Sequence, residues 1–143
     1  MTFRRFGLSA TFLALLSSST LLAAPVERKD SKPQVEVVFC LDTTGSMGGL
    51  LDGAKQKIWA IVNQVASGRP APEVKVGLVA FRDRKDAYVT KVFDLTTDLD
   101  AVHANLKEFK AEGGGDTPES VNQGLNEALT KIKWSKEKDT LRI

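Results

Sequence analysis

The chain has 143 residues, 42% hydrophobic and 27% charged, with a formal net charge of +2. That length holds one domain with its own core and is too short for two ordinary ones. There is no basic stripe and no interleaving of aromatic with basic residues, which argues against a nucleic-acid partner, and the single cysteine, Cys40, excludes an intrachain disulfide.

Met1 to Ala24 reads as a secretory signal peptide. Arg4 and Arg5 form its positive start, Phe6 to Leu22 its apolar stretch, and Ala23-Ala24 the small residues before cleavage. Pro25 is a poor neighbour for cleavage directly after Ala24, so cleavage one residue earlier and retention as a membrane anchor stand as alternatives. The apolar stretch is marginal for spanning, which takes about 20 apolar residues. The expected location is outside the cytoplasm: periplasmic, extracellular or at the cell surface, with a membrane contact only if the leader is kept. Residues 25–33 read as a charged linker, and 34–143 as the domain. Without Arg4 and Arg5, 18 basic residues face 18 acidic ones.

The domain opens on Val35 to Leu41, a short apolar run rich in β-branched residues and so a buried strand. Cys40 lies inside it and is expected to act as a small buried hydrophobe. The run ends in Asp42-Thr43-Thr44-Gly45-Ser46-Met47. Leu51, Ala54, Ile58, Ile61, Val62 and Val65 then recur at helical spacing, with Trp59 at the margin, until Gly68 and Pro70 end the helix. Val74 to Phe81 alternates and then becomes continuously apolar, as a strand entering a sheet core does. Arg82 to Asp86 reads as a charged turn. Tyr88 to Leu95 alternates, and so short a connection predicts an antiparallel edge strand.

Thr97 or Asp98 is placed to cap a helix carrying Leu99, Val102, Leu106 and Phe109. His103 adjoins that stripe and reads as a boundary residue. Gly113-Gly114-Gly115 signals unusual backbone dihedrals or a close approach. Thr117-Pro118-Glu119 has the form of a helix start. Val121, Leu125, Ala128, Leu129 and Ile132 restore the helical period, and Asp139 to Ile143 begins another strand. The order strand, helix, strand, strand, helix, helix, strand predicts an α/β fold. Its sheet is doubly wound and mostly parallel, with one antiparallel edge strand and helices on both faces.

In such a sheet, ligands bind beyond the carboxyl ends of the central strands. Asp42, Thr44 and Ser46 alternate along the exit from the first strand, so one carboxylate and two hydroxyls can converge. Hard oxygen donors of that kind suit Mg²⁺ or Mn²⁺. Asp42-Thr43-Thr44-Gly45-Ser46 resembles the Asp-x-Ser-x-Ser signature of the von Willebrand factor type A domain, with Thr44 where that family usually has serine. The resemblance covers Val35 to Ile143. It implies a Rossmann-like fold and a metal-ion-dependent adhesion site. In that site Thr44 and Ser46 coordinate the ion, Thr117 adds a third hydroxyl from the glycine-rich loop, and Asp42 contributes directly or through water. Asp116 matches no fixed ligand of the family and is a candidate to orient one. The third loop of the family's site carries an aspartate after the fourth strand. Ile143 falls inside that strand, so the expectation is a domain incomplete at its carboxyl end.

The function implied is an exported, non-enzymatic, metal-dependent protein-binding module whose partner offers a glutamate or aspartate. A second reading makes Asp42, Thr44, Ser46 and Thr117 only helix caps in a domain without metal. A third is a phosphotransferase or phosphatase with Asp42 as nucleophile. Against it, Thr43 replaces the lysine of the P-type ATPase motif, Thr44 the second acid of the haloacid-dehalogenase motif, and there is no phosphate loop. The lone histidine has no evident catalytic partner.

Overall fold

The computed structural model describes residues 32–115 and 120–143; residues 1–24, most of 25–33, and Asp116 and Thr117 lie outside the described residues. The elements are β1 (Gln34–Asp42), α1 (Leu51–Ala66), β2 (Glu73–Phe81), β3 (Thr90–Thr96), α2 (Leu99–Glu108), α3 (Val121–Thr130) and β4 (Thr140–Arg142). The sheet runs β3-β2-β1-β4. β1 pairs in parallel with β2 and with β4, and β2 pairs antiparallel with β3. This is the predicted sheet, with β1 and β2 in the interior.

The faces of the sheet follow the strand alternation. Phe39 and Leu41 of β1 and Val74, Val76, Leu78 and Ala80 of β2 pack against Leu51, Ile58 and Val62 of α1 and Val102 and Leu106 of α2. Burying each such side chain fully contributes about 1.5–3 kcal/mol, so this layer dominates the stability of the domain. Asp98, not Thr97, caps α2: its carboxylate accepts the Ala101 N–H at 3.0 Å. β3 begins at Thr90, leaving Tyr88 in the preceding loop, and all of its residues are half-buried or exposed, as suits an edge.

α3 covers the opposite face and departs from the expected stripe. Its buried residues are Gly124 and Glu127, whereas Val121, Leu125 and Leu129 are exposed. The helix lies too close to the sheet for larger side chains: a Cβ on Gly124 would stand 2.9 Å from the Phe81 ring and 3.1 Å from Cys40 Sγ. Cys40 itself is half-buried, and burial raises its thiol pKa, which keeps it a protonated, unreactive hydrophobe.

Candidate functional site

A single 3-10 turn, Gly45–Met47, follows β1, and α1 starts only at Leu51. Neither this turn nor α1 has a side-chain hydrogen bond at its N-cap, so Asp42, Thr44 and Ser46 do not cap them. Their oxygens bond to one another instead. Asp42 Oδ1 accepts both the Thr44 N–H and the Thr44 hydroxyl at 2.8 Å, and Ser46 Oγ lies 3.0 Å from Thr44 Oγ1. Because the Thr44 proton points at Asp42, Ser46 is left as the donor in the second contact. The sequence-predicted trio is therefore gathered at the carboxyl end of an interior strand, with Thr44 buried and Ser46 exposed.

Thr43 points the other way and fixes this turn. Fully buried, it donates its hydroxyl to Phe81 O at 3.1 Å and lies 2.7 Å from the Tyr88 hydroxyl. Arg82, also buried, donates to Thr43 O at 3.0 Å and to Lys110 O at 2.6 Å, with its guanidinium 4.4 Å from the Tyr88 ring centre. A charged residue buried in this way is held by hydrogen bonds on several sides.

The glycine-rich loop closes over the same end of the sheet. Gly45 N–H donates to Gly113 O at 3.0 Å, and Glu112 N–H to Thr43 O at 3.2 Å. Gly113 has φ +72, and a Cβ there would overlap the Asp86 carboxylate, so the position demands glycine. Asp86 accepts the Gly114 N–H at 3.0–3.1 Å, and Asp83 Oδ2 accepts the Gly115 N–H at 3.1 Å. The loop bearing Asp83 and Asp86 is thus the anchor of the loop that leads to Thr117. In sequence these two acids belong to a charged turn, and the structure leaves Asp83 only 5% exposed. The available signal was its place just beyond the apolar run of the other interior strand, two residues past Phe81, the residue level with Asp42.

The donor set of one carboxylate and two hydroxyls is hard and fits Mg²⁺ or Mn²⁺. Among the described residues no group of three or more His, Cys, Asp or Glu is gathered for a metal, so any cation held here would need hydroxyl ligands as well as carboxylates. Thr117 and Asp116 lie outside the described residues, so only three of the four expected ligands are brought together. His103 stacks on Trp59, ring centres 4.3 Å apart, away from the trio and between α1 and α2.

Residues 36–137 match the family model described as von Willebrand factor A domain. The chain is 36% identical to the von Willebrand factor A domain-containing protein 7 of Rattus norvegicus, across 87% of this chain and 14% of that protein. It is 38% identical to the Homo sapiens protein of the same name, across 70% of this chain and 11% of that one. It thus spans only a small part of these relatives. Among solved structures, the vWF domain of the type V pili tip protein Mfa5 from Porphyromonas gingivalis superposes with a TM-score of 0.57 at 22% identity, covering 78% of this chain and 37% of that one. That likeness establishes the fold, and the family match goes further. The chain belongs to the von Willebrand factor A domain family.

Proposed function

We propose that this domain is an exported, metal-dependent protein-binding module of the adhesion type. Asp42, Thr44, Ser46 and Thr117 would hold a Mg²⁺ or Mn²⁺ ion beyond the carboxyl end of the sheet. The observation that carries this reading is the hydrogen-bonded chain from Asp42 Oδ1 through Thr44 Oγ1 to Ser46 Oγ, at 2.8 and 3.0 Å. It joins the three oxygens at the mouth of the sheet without satisfying a helix end. A bound cation would supply an electrophilic centre. Its hydroxyl ligands carry no charge to offset the ion's own, which favours an acidic side chain from a partner as a further ligand. Thr43 and Arg82 hold the first loop in place, and Gly45 binds the glycine-rich loop to it. Family membership and the fold shared with a pili tip protein's domain support a role in protein contact at a surface.

Calorimetric titration of the full chain with Mn²⁺ and Mg²⁺ tests the reading. The wild type is expected to bind one ion, and Ser46→Ala to bind it at least tenfold more weakly. Equal binding by Ser46→Ala overturns it. A phosphatase built on Asp42 would release phosphate from an aryl phosphate and lose that activity in Asp42→Asn; no release is expected from either protein.

A further inference from the structure

Three carboxylates are buried among the described residues: Glu36, Glu127 and Asp83, at 1%, 4% and 5% exposure. Glu36 and Glu127 each have partners on both oxygens. Glu36 takes Lys75 Nζ on Oε1 at 3.4 Å and the Ser135 N–H on Oε2 at 2.9 Å. Glu127 takes Lys131 and Gln123 on Oε1 and the Thr90 hydroxyl on Oε2. Asp83 has the Gly115 N–H on Oδ2, and nothing on Oδ1. Its Oδ1 is the one buried side-chain oxygen or nitrogen without a hydrogen-bond partner among the described residues. Buried carboxylate oxygens cost free energy unless a donor, a water or a cation takes them, so an open one calls for an occupant.

The position of Asp83 indicates which occupant. It follows β2 as Asp42 ends β1, and the two strands are parallel neighbours with Asp42 level with Phe81, two residues before Asp83. The carboxylate reaches back to the glycine-rich loop. A Cβ on Gly114 would lie 3.3 Å from Thr44 Cβ and 3.9 Å from Asp83 Oδ2, so the Asp83 carboxylate and the Thr44 side chain flank one glycine. Its neighbour Asp86 does not compete for the role, because both Asp86 oxygens are taken by the Gly114 N–H and one also by the Asp83 N–H.

Resting on the reading above, we propose that Asp83 is a further residue of the cation site, its Oδ1 contacting the divalent ion or a water bound to it. The set expected from the first loop carries one negative charge, from Asp42. A second carboxylate close to the ion, or acting through its water, adds to the attraction that retains it, and the number of charged ligands is what tunes affinity at such sites. Asp83 would then retain the cation between encounters with a partner. Through the Gly115 N–H it would also make the glycine-rich loop sense occupancy.

The test uses Mn²⁺ and the full chain in two measurements. In calorimetry, Asp83→Asn is expected to weaken Mn²⁺ binding by about 10–100-fold, the usual loss when a group supporting a metal site is removed. Its metal-free unfolding midpoint should stay nearly level, since Asn can still accept the Gly115 N–H and no partner of Oδ1 is lost. In carboxyl-carbon NMR of the wild type, which needs no variant to fold, Mn²⁺ should broaden the Asp83 resonance strongly and leave that of Glu36 sharp. If Ser46→Ala loses binding while Asp83→Asn keeps the wild-type affinity, the proposal fails and the metal-site reading stands. A sharp Asp83 resonance at saturating Mn²⁺ overturns it equally. If the wild type binds no ion, or Ser46→Ala binds as well as wild type, the metal-site reading falls and takes this proposal with it.

Discussion

The two ends of the sheet treat a buried carboxylate in opposite ways. At the amino end, Glu36 of β1 is closed in by Lys75 from β2, the Ser135 N–H, and Arg142 of β4 at 4.0 Å. It ties three segments of the chain together, and each oxygen has a partner. At the carboxyl end, Asp83 is almost as deeply buried, yet one of its oxygens has no hydrogen-bond partner among the described residues. At the same end of the sheet Asp42, Thr44 and Ser46 turn their oxygens toward one another instead of capping a helix. A fold that can satisfy a buried acid fully at one end leaves another unsatisfied at the other, beyond the ends of its interior strands, where α/β sheets bind ligands. The satisfied acid serves stability, and the open one is available for a ligand.

Removing the satisfied acid should do the greatest damage. Glu36→Ala is expected to lower the unfolding free energy by about 2–3 kcal/mol in denaturant titration, since it deletes charge-assisted hydrogen bonds and strands a backbone donor. Glu127 comes next and has a pH signature. Burial pushes its carboxyl up, but the hydrogen bonds from Lys131, Thr90 and Gln123 outweigh that and hold it below the ordinary value. A lowered carboxyl adds stability above its unfolded pKa, about 4.3, and that stability is lost as pH falls through the folded value. Glu127→Gln should therefore be less stable at pH 7 by about 1 kcal/mol and show a shallower decline on acidification below about pH 4.3, followed by the thermal midpoint. Asp83→Asn should cost the metal-free domain less than about 0.5 kcal/mol, so equal losses for Asp83→Asn and Glu36→Ala would erase the contrast. The smallest effect belongs to Leu129→Gln. Leu129 is 74% exposed on α3, and its loss should stay within about 0.5 kcal/mol of wild type.

Much of this was legible in the sequence. The apolar run ending in Asp42-Thr43-Thr44-Gly45-Ser46, the helical periods of α1 and α2, and the short charged turn before β3 give the order of elements, the antiparallel edge strand and the position of the first loop. What local pattern could not supply is the depth of individual polar residues. Arg82 and Asp83 look like solvated members of a charged run, but Arg82 is buried by bonds to Thr43 and Lys110, far away in sequence. On α3 the apolar period pointed to Val121, Leu125 and Leu129 as the inward stripe. The helix instead turns Gly124 to the sheet, where a Cβ would meet Phe81 and Cys40, and buries Glu127 against the Thr90 hydroxyl of β3. Periodicity reports hydrophobic spacing; it does not report that a glutamate has three partners waiting on other residues.

The central claim is that Asp42, Thr44 and Ser46 form a cation site. Thermal unfolding of the full chain, in EDTA and then in millimolar Mg²⁺ or Mn²⁺, tests it most directly. A cation present at about 100 times its dissociation constant stabilises the folded state by about 2.7 kcal/mol, so the wild-type midpoint should rise clearly, and the rise should vanish in Ser46→Ala. A midpoint that ignores the cation, or one that rises equally in Ser46→Ala, would contradict the account.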